Sequence, residues 1–453
     1  MSEIPNMWSE CLLTDITDTL ESGSRPKGGV KGISTGIPSI GGEHLDYSGN
    51  LDFTKIKYVP QKFADSMRKG HIKINDVLIV KDGATTGKTS FVNEKFPFKD
   101  AVVNEHVFIV RINELINSKY IFRFLLTNEG QKRILDNFQG SAQGGINLSF
   151  ASNLLIPIAP LNEQNRIVAK LEKLLEKVDT AKARLDKIPQ TLKRFRQSVL
   201  SAAVSGELTK DWREKYKGDK IWEETTLENV AENIQIGPFG TQLHKSDYIS
   251  NGIPLINPTH IQNYIIVPDL DYTISRKKYL ELGNYHLATD DIIMGRRGEM
   301  GRCALVSEKE NNWLCGTGSL FIRPKKQIES NFLFLILKSV GVRKYLESES
   351  KGTTMSNLNL TILKSVPISF PSLKEQNEIV RRVEQLFKYA NQIEERYNKA
   401  KQYIDKLTQS ILAKAFRGEL VPQDPNDEPA EKLLERIKSE KYAETGNLSE
   451  QNK

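Results

Sequence analysis

The stretch Asp82-Gly83-Ala84-Thr85-Thr86-Gly87-Lys88-Thr89 has the residue types of a phosphate-binding loop. Glycines let backbone approach a phosphate, lysine supplies charge, and a hydroxyl can hold a metal. The spacing is wrong, however. The motif needs four residues between its glycine and Gly-Lys, and here there are three. The stretch Arg297-Gly298-Glu299-Met300-Gly301-Arg302 occupies an equivalent place and has lost Lys-Thr altogether. Nucleotide hydrolysis is therefore not the reading. Adenine methyl transfer uses an Asn/Asp-Pro-Pro-aromatic motif. The nearest approach, Asn257-Pro258-Thr259-His260, lacks the second proline and the aromatic ring. The six histidines are scattered without metal-ligand spacing. No catalytic or metal-binding residue is assigned.

What remains is binding chemistry. Each glycine loop follows an apolar run and is flanked by cations. In the first these are Lys81 and Lys88, with the hydroxyls of Thr85 and Thr86; in the second, Arg296, Arg297 and Arg302. Arginine can pair bidentate with guanine O6 and N7, whereas lysine offers a point charge. We expect phosphate contacts from Lys88 and Arg302, and base contacts from Arg296 and Arg297. Two further loops carry suitable groups. One is Ser24-Arg25-Pro26-Lys27, whose counterpart contains His244 and Lys245. The other holds Gln143, with Thr353 and Thr354 as counterparts. Together they form a candidate DNA face; any one alone reads equally well as a solvated turn.

Loops need elements to hold them, and this chain builds its elements twice. Glu163 to Leu208 recurs as Glu375 to Leu420, displaced by 212 residues without a gap. Apolar residues alternate at steps of four and three: Ile167, Leu171, Leu174, Val178 and Leu185 in one copy, Ile379, Val383, Leu386, Ile393 and Ile404 in the other. That is the 3.5-residue period of a coiled-coil seam, and each copy is the natural partner of the other. Ser372-Leu373-Lys374-Glu375 reads as a capping box, Gly206 and Gly418 as left-handed C-terminal caps, and Pro189 as a kink or short break. Lys193-Arg194-Phe195-Arg196 is basic and suits subunit docking or DNA-backbone contact. A weaker repeat links the regions before the helices: Gly36-Ile37-Pro38 with Gly252-Ile253-Pro254, and Asp76-Val77-Leu78 with Asp291-Ile292-Ile293.

These repeats predict an α+β protein in five parts: a globular α/β domain over 1–155, a helical region over 156–215, a second globular domain over 216–365, a second helical region over 366–420, and a polar tail with a short helix over 421–453. Pseudo-twofold symmetry makes the helix pair antiparallel. About 36 seam residues give roughly 50 Å of helix. The chain is 38% hydrophobic and 27% charged with a net charge of +7, which fits a polyanion partner. Three cysteines without metal spacing point to a reducing, cytoplasmic setting. No apolar run is long enough to span a bilayer, so no membrane partner is expected.

The order of globular region, Glu-Gln-x-x-Ile-Val helix, related globular region and second such helix resembles the specificity (S) subunit, HsdS, of type I restriction–modification enzymes. The resemblance covers nearly the whole chain. Ile188-Pro189-Gln190-Thr191-Leu192-Lys193-Arg194-Phe195-Arg196-Gln197 and Leu407 to Leu420 look like the enterobacterial K-12-type subfamily. It implies two target recognition domains, each reading one half of a split double-stranded DNA site. It also implies an antiparallel two-helix coiled coil that spaces them and docks two modification (methyltransferase) subunits, with restriction (motor/nuclease) subunits joining that core. Such a subunit has no catalytic activity or cofactor of its own. S-adenosylmethionine belongs to the methyltransferase partners, and ATP and Mg to the restriction partners. The alternatives are a fused methyltransferase or nuclease with drifted motifs, and a coiled-coil adaptor without DNA specificity.

Overall fold

A computed structural model describes residues 4–140, 144–216, 222–298, 301–349 and 358–450, the last seven as backbone only. The chain forms two compact units, Met1–Leu185 with Ala400–Lys453, and Asp186–Lys399. The globular part of each unit is thus completed by segments of both repeated helices.

The first unit is built on a four-stranded antiparallel sheet in the order Thr17–Ser22, Val107–Ile112, Val77–Val80, Thr89–Phe91. Val77-Leu78-Ile79-Val80 is apolar at every position because both sheet faces are covered. Val77 and Ile79 enter one core, Leu78 and Val80 another, the alternation that a period of two demands. A smaller sheet pairs Ile37–Ile40 with Lys57–Val59 and Val102–Val103. The second unit repeats the plan with Ala231–Ile236, Ser319–Pro324, Ile292–Gly295 and Cys303–Leu305. Even the register irregularity recurs, between Thr17 and Thr19 and between Ala231 and Asn233.

Each central strand starts at a buried aspartate held by an arginine fork. Arg111 Nε and Nη2 donate to the two oxygens of Asp76, both at 2.8 Å. Arg323 does the same to Asp291 at 2.8 and 2.7 Å. A backbone N–H adds a third bond, from Lys73 in one unit and Ala288 in the other, each at 2.7 Å. A buried carboxylate needs such complete pairing.

The repeated helices join their units through a glutamine. Gln164 is fully buried; its Nε2 donates to Ala159 O at 2.8 Å and its Oε1 accepts from Asn117 N at 3.0 Å. Gln376 donates to Pro371 O at 2.8 Å and accepts from Glu329 N at 2.7 Å. Asn117 and Glu329 are the N-caps of the helices Ser118–Leu125 and Ser330–Leu337. The preceding glutamate is also buried. Glu163 accepts from Trp8 Nε1 at 3.1 Å, and Glu375 accepts from Thr209 Oγ1 at 2.7 Å and from Arg213. The expected capping box at Ser372 does not form. Glu375 turns to Thr209 and Arg213 instead, and the Ser372 hydroxyl is buried without a partner among the described residues.

The first copy forms Leu161–Leu185 and Ile188–Val204, with a two-residue break just before Pro189; the second is one helix, Leu373–Ala415. Pairing is antiparallel. In the first unit, Ile167, Leu171 and Leu175 share a core with Leu412 and Ala415. In the second, Val199 and Ala203 share one with Ile379 and Val383, against which Leu386 packs. Leu175 is buried while Leu174 and Leu185 are only half-buried; Val178 is buried and Ile404 half-buried. Ile393 departs from the seam and is 46% exposed. At its level the contact is polar: Arg196 Nη2 donates to Asn391 Oδ1 at 2.8 Å and to Glu394 Oε2 at 2.7 Å. Gly206 and Gly418 both take positive φ, 78° and 73°. The tail helix Ala430–Glu450 buries Leu433 and Ile437 in the core of the first unit.

Gln164→Leu should strand the Asn117 N–H and the Ala159 carbonyl, at about 1–3 kcal/mol for each group left unpaired; urea denaturation reads the loss. Replacing exposed Lys173 by alanine should stay within about 0.5 kcal/mol. In the second unit, hydrogen bonds from Arg381 and then Arg382 hold Glu378 at about 2, below the usual carboxylate value of 4.5. A carboxyl whose pKa falls on folding stabilises above its unfolded value and loses that contribution as pH drops towards its folded one. The melting-temperature gap between wild type and Glu378→Gln should therefore be full at pH 7 and close between about pH 4.5 and 2.

Candidate nucleic-acid interface

Sheet topology alone gathers the loops. In the first unit the strands end at Ser22 and Val80 and begin at Thr89 and Val107 along one sheet edge. The turns after Ser22 and Val80, and the one before Val107, therefore meet. Gly23 N donates to Asn104 O at 3.2 Å, and a Cβ on Gly23 would lie 1.6 Å from Val103 O, so only glycine fits. Lys81 N donates to His106 O at 2.9 Å, and Ile146 N to Lys81 O at 2.7 Å. The second unit copies this frame. Gly237 N donates to Ser319 O at 3.0 Å, Arg296 N to Gly318 O at 2.9 Å, and Leu358 N to Arg296 O at 3.0 Å.

The side chains differ. In the first unit, Arg25 forms an ion pair with Glu105 and its Nη2 lies 3.3 Å from His106 Nε2. His106 Nδ1 lies 2.6 Å from Asp82 Oδ1, and Lys81 Nζ 3.9 Å from Asp82 Oδ2. Arg25 and Lys27 are exposed. The Lys88 ammonium sits 5.2 Å over the ring of Tyr47. Thr85 is half-buried, and its carbonyl accepts from Lys88 N at 3.2 Å. Thr86 is buried and its hydroxyl donates to Gly83 O at 2.7 Å, so it closes the turn rather than facing outwards. The N–H groups of Gly83, Thr86, Gly87 and Lys88 all donate to carbonyls, those of Gly144, Gly83, Val80 and Thr85. A phosphate cradle needs such N–H groups free, and this turn spends them on itself.

In the second unit Arg297 is exposed, whereas Arg296 is half-buried and its Nε donates to Leu358 O at 3.0 Å. Burial, with the neighbouring Arg297 charge, lowers the pKa of Arg296. Arg302 Nη1 donates to Pro258 O at 3.2 Å. His244 and Lys245 are exposed, the His244 N–H donating to Asp247 Oδ2 at 2.7 Å. Gln143, Thr353 and Thr354 lie outside the described residues. Three groups at these edges escaped the motif reading: Glu105, His106, and Phe239, which is 66% exposed on the turn after Ile236. The 212-residue displacement carries the signal for the first two, because it sets Asn104-Glu105-His106 against Gly316-Thr317-Gly318.

Among the described residues no group of three or more histidine, cysteine or acidic side chains could hold a metal ion. No helix there is long and apolar enough to cross a membrane. Cys11 and Cys303 are buried, and burial pushes their thiols up to about 12.

Two similar units, each presenting a strand-end loop cluster and each clamped to a long helix, define a two-domain specificity protein. The family model described as the type I restriction modification DNA specificity domain matches residues 6–190 and 220–401, and the chain belongs to that family. It is 38% identical over 320 residues to the type I restriction enzyme EcoBI specificity subunit of Escherichia coli, covering 66% of this chain and 67% of that protein. It is 33% identical to the StySPI specificity subunit of Salmonella potsdam and 30% identical to the EcoKI specificity subunit of Escherichia coli K12; both matches cover 92% of this chain and 91% of the relative. Among solved structures, the HsdS subunit from Thermoanaerobacter tengcongensis shares the fold with a TM-score of 0.60 at 20% identity, over 92% of this chain and 98% of that one. A chain from a study of type I R-M complex assembly and conformational transition matches at a TM-score of 0.66 and 20% identity, over 92% and 99%.

The two arginines of the second loop should separate in a paired experiment. Arg296→Ala should lower stability by about 1 kcal/mol through its lost carbonyl bond. Arg297→Ala should leave the urea midpoint unchanged and weaken DNA binding in a gel-shift titration.

Proposed function

We propose that this chain is the DNA sequence-recognition subunit of a type I restriction–modification complex, and that each unit reads one half of a bipartite duplex target. One observation carries the reading: a single scaffold, conserved down to its strand-end hydrogen bonds, holds different side chains in its two copies. Identical function would call for identical loops, and a merely structural repeat would not gather cations at one sheet edge twice. The family match over both units supports it.

In this reading the paired helices set the spacing between half-sites, about one DNA turn or roughly 34–36 Å apart, and dock two modification subunits. Restriction subunits join that complex. The chain itself carries no catalysis. Methyl transfer to adenine, with S-adenosylmethionine and base flipping, belongs to the modification partners, and ATP with Mg to the restriction partners. The work is done in the cytoplasm on double-stranded DNA. Exposed Lys27, Lys245 and Arg297 supply charge along the duplex backbone, where each phosphate neutralised steepens the salt dependence.

Exchanging residues 1–155 for the corresponding region of a relative should change one half of the methylated sequence and leave the other half intact, as read by sequencing modified DNA. The purified chain alone should transfer no methyl group. Activity without partners would favour a fused enzyme. Equal affinity for random and selected duplexes would favour an adaptor without specificity.

A further inference from the structure

The first unit holds an arginine in a way the second does not. Arg25 has a side chain 48% exposed at the sheet edge, yet its Nη2 is engaged by Glu105 and lies 3.3 Å from His106 Nε2. Behind it, His106 Nδ1 reaches Asp82 Oδ1 at 2.6 Å. The second Glu105 oxygen is buried without a partner among the described residues, so Arg25 is the nearest full positive charge that compensates it. In the second unit the 212-residue displacement puts Thr317 and Gly318 in place of Glu105 and His106, and the network has no counterpart.

Two physical arguments decide what such an arginine does. A cation that meets phosphate gains from its net charge, and Glu105 has already cancelled that of Arg25. What survives is directional: both contacts fall on Nη2, which leaves donors on Nη1 and Nε in a fixed plane. A set of fixed donors with no acceptor matches an edge with two adjacent acceptors. In the major groove that edge is guanine O6 and N7. The preceding turn is anchored by Gly23, which admits no side chain, so Arg25 stands on a rigid base.

Resting on the DNA-recognition reading above, we propose that Arg25 reads a guanine in the half-site of the first unit, and that Glu105, His106 and Asp82 are positioning residues that aim its guanidinium.

The full chain, assembled with its modification subunits, would select from a library of randomised 40-base-pair duplexes, and the retained DNA would be sequenced. Affinity for single-base variants of the selected site would be measured at two salt concentrations. Wild type should select a bipartite site with guanine at a defined position of one half. Arg25→Ala should lose discrimination at that one position by roughly 5- to 150-fold, with the other half and the salt slope unchanged. Arg25→Lys keeps charge and stem but loses the fork, and should fail at the same position. Glu105→Gln should relax that position too, and Arg25→Ala/Glu105→Gln should relax it no further than Arg25→Ala, a coupling that general destabilisation would not produce. Uniform weakening across all sequences with a salt slope reduced by about one would make Arg25 a phosphate contact and overturn the proposal. So would an unchanged site in Arg25→Ala while wild type still selects two halves, with the recognition reading intact. No selected site from wild type would overturn both.

Discussion

The structure depends on a buried amide. Gln164 and Gln376 are wholly removed from solvent, and each spends donor and acceptor on backbone groups of its own unit. An amide buried unpaired costs several kcal/mol, so the side chain holds one position only. Because its acceptor takes the N–H of a helix N-cap, it fixes the angle at which the long helix leaves the globular part. The same two bonds recur in both units. An error of a few degrees at a helix base grows along a helix of 43 residues, about 65 Å. A protein that must hold two reading surfaces at a set distance needs such a joint.

Upon that joint the two units diverge only where divergence is useful. Asp76 with Arg111 and Asp291 with Arg323 are the same buried fork, and the backbone bonds Lys81 to His106 and Arg296 to Gly318 are the same strand-end link. The side chains beyond that link are not. Glu105 and His106 give the first unit a pre-aimed arginine, while the second offers an exposed Arg297 beside a pinned Arg296. The scaffold thus separates folding from reading. Residues that pair within the frame are constrained, and those beyond it are free to vary.

Much of this was legible in the amino-acid sequence, because a gapless repeat is a long-range constraint written locally. The four-and-three spacing pointed to the antiparallel pair, and Pro189 to the break before it. Ile393 was misleading, since a heptad position reports phase and not whether Arg196 across the seam has turned the contact polar. The capping box at Ser372 failed for a similar reason: Glu375 found stronger donors in Thr209 and Arg213, 166 and 162 residues away in sequence. Arg296 and Thr86 had the right types for DNA contact, but their bonds to Leu358 O and Gly83 O belong to the fold. His106 had no local pattern to distinguish it among six histidines; only the sheet places it against Asp82 and Arg25.

The central claim is that one frame, used twice, reads two different sequences. It is tested most directly by mapping every methylated adenine in the genome of cells that express this chain with its modification partners. The account predicts a single motif of two unlike halves separated by an unread gap of constant length. An undivided motif, two identical halves, or a gap of variable length would contradict it.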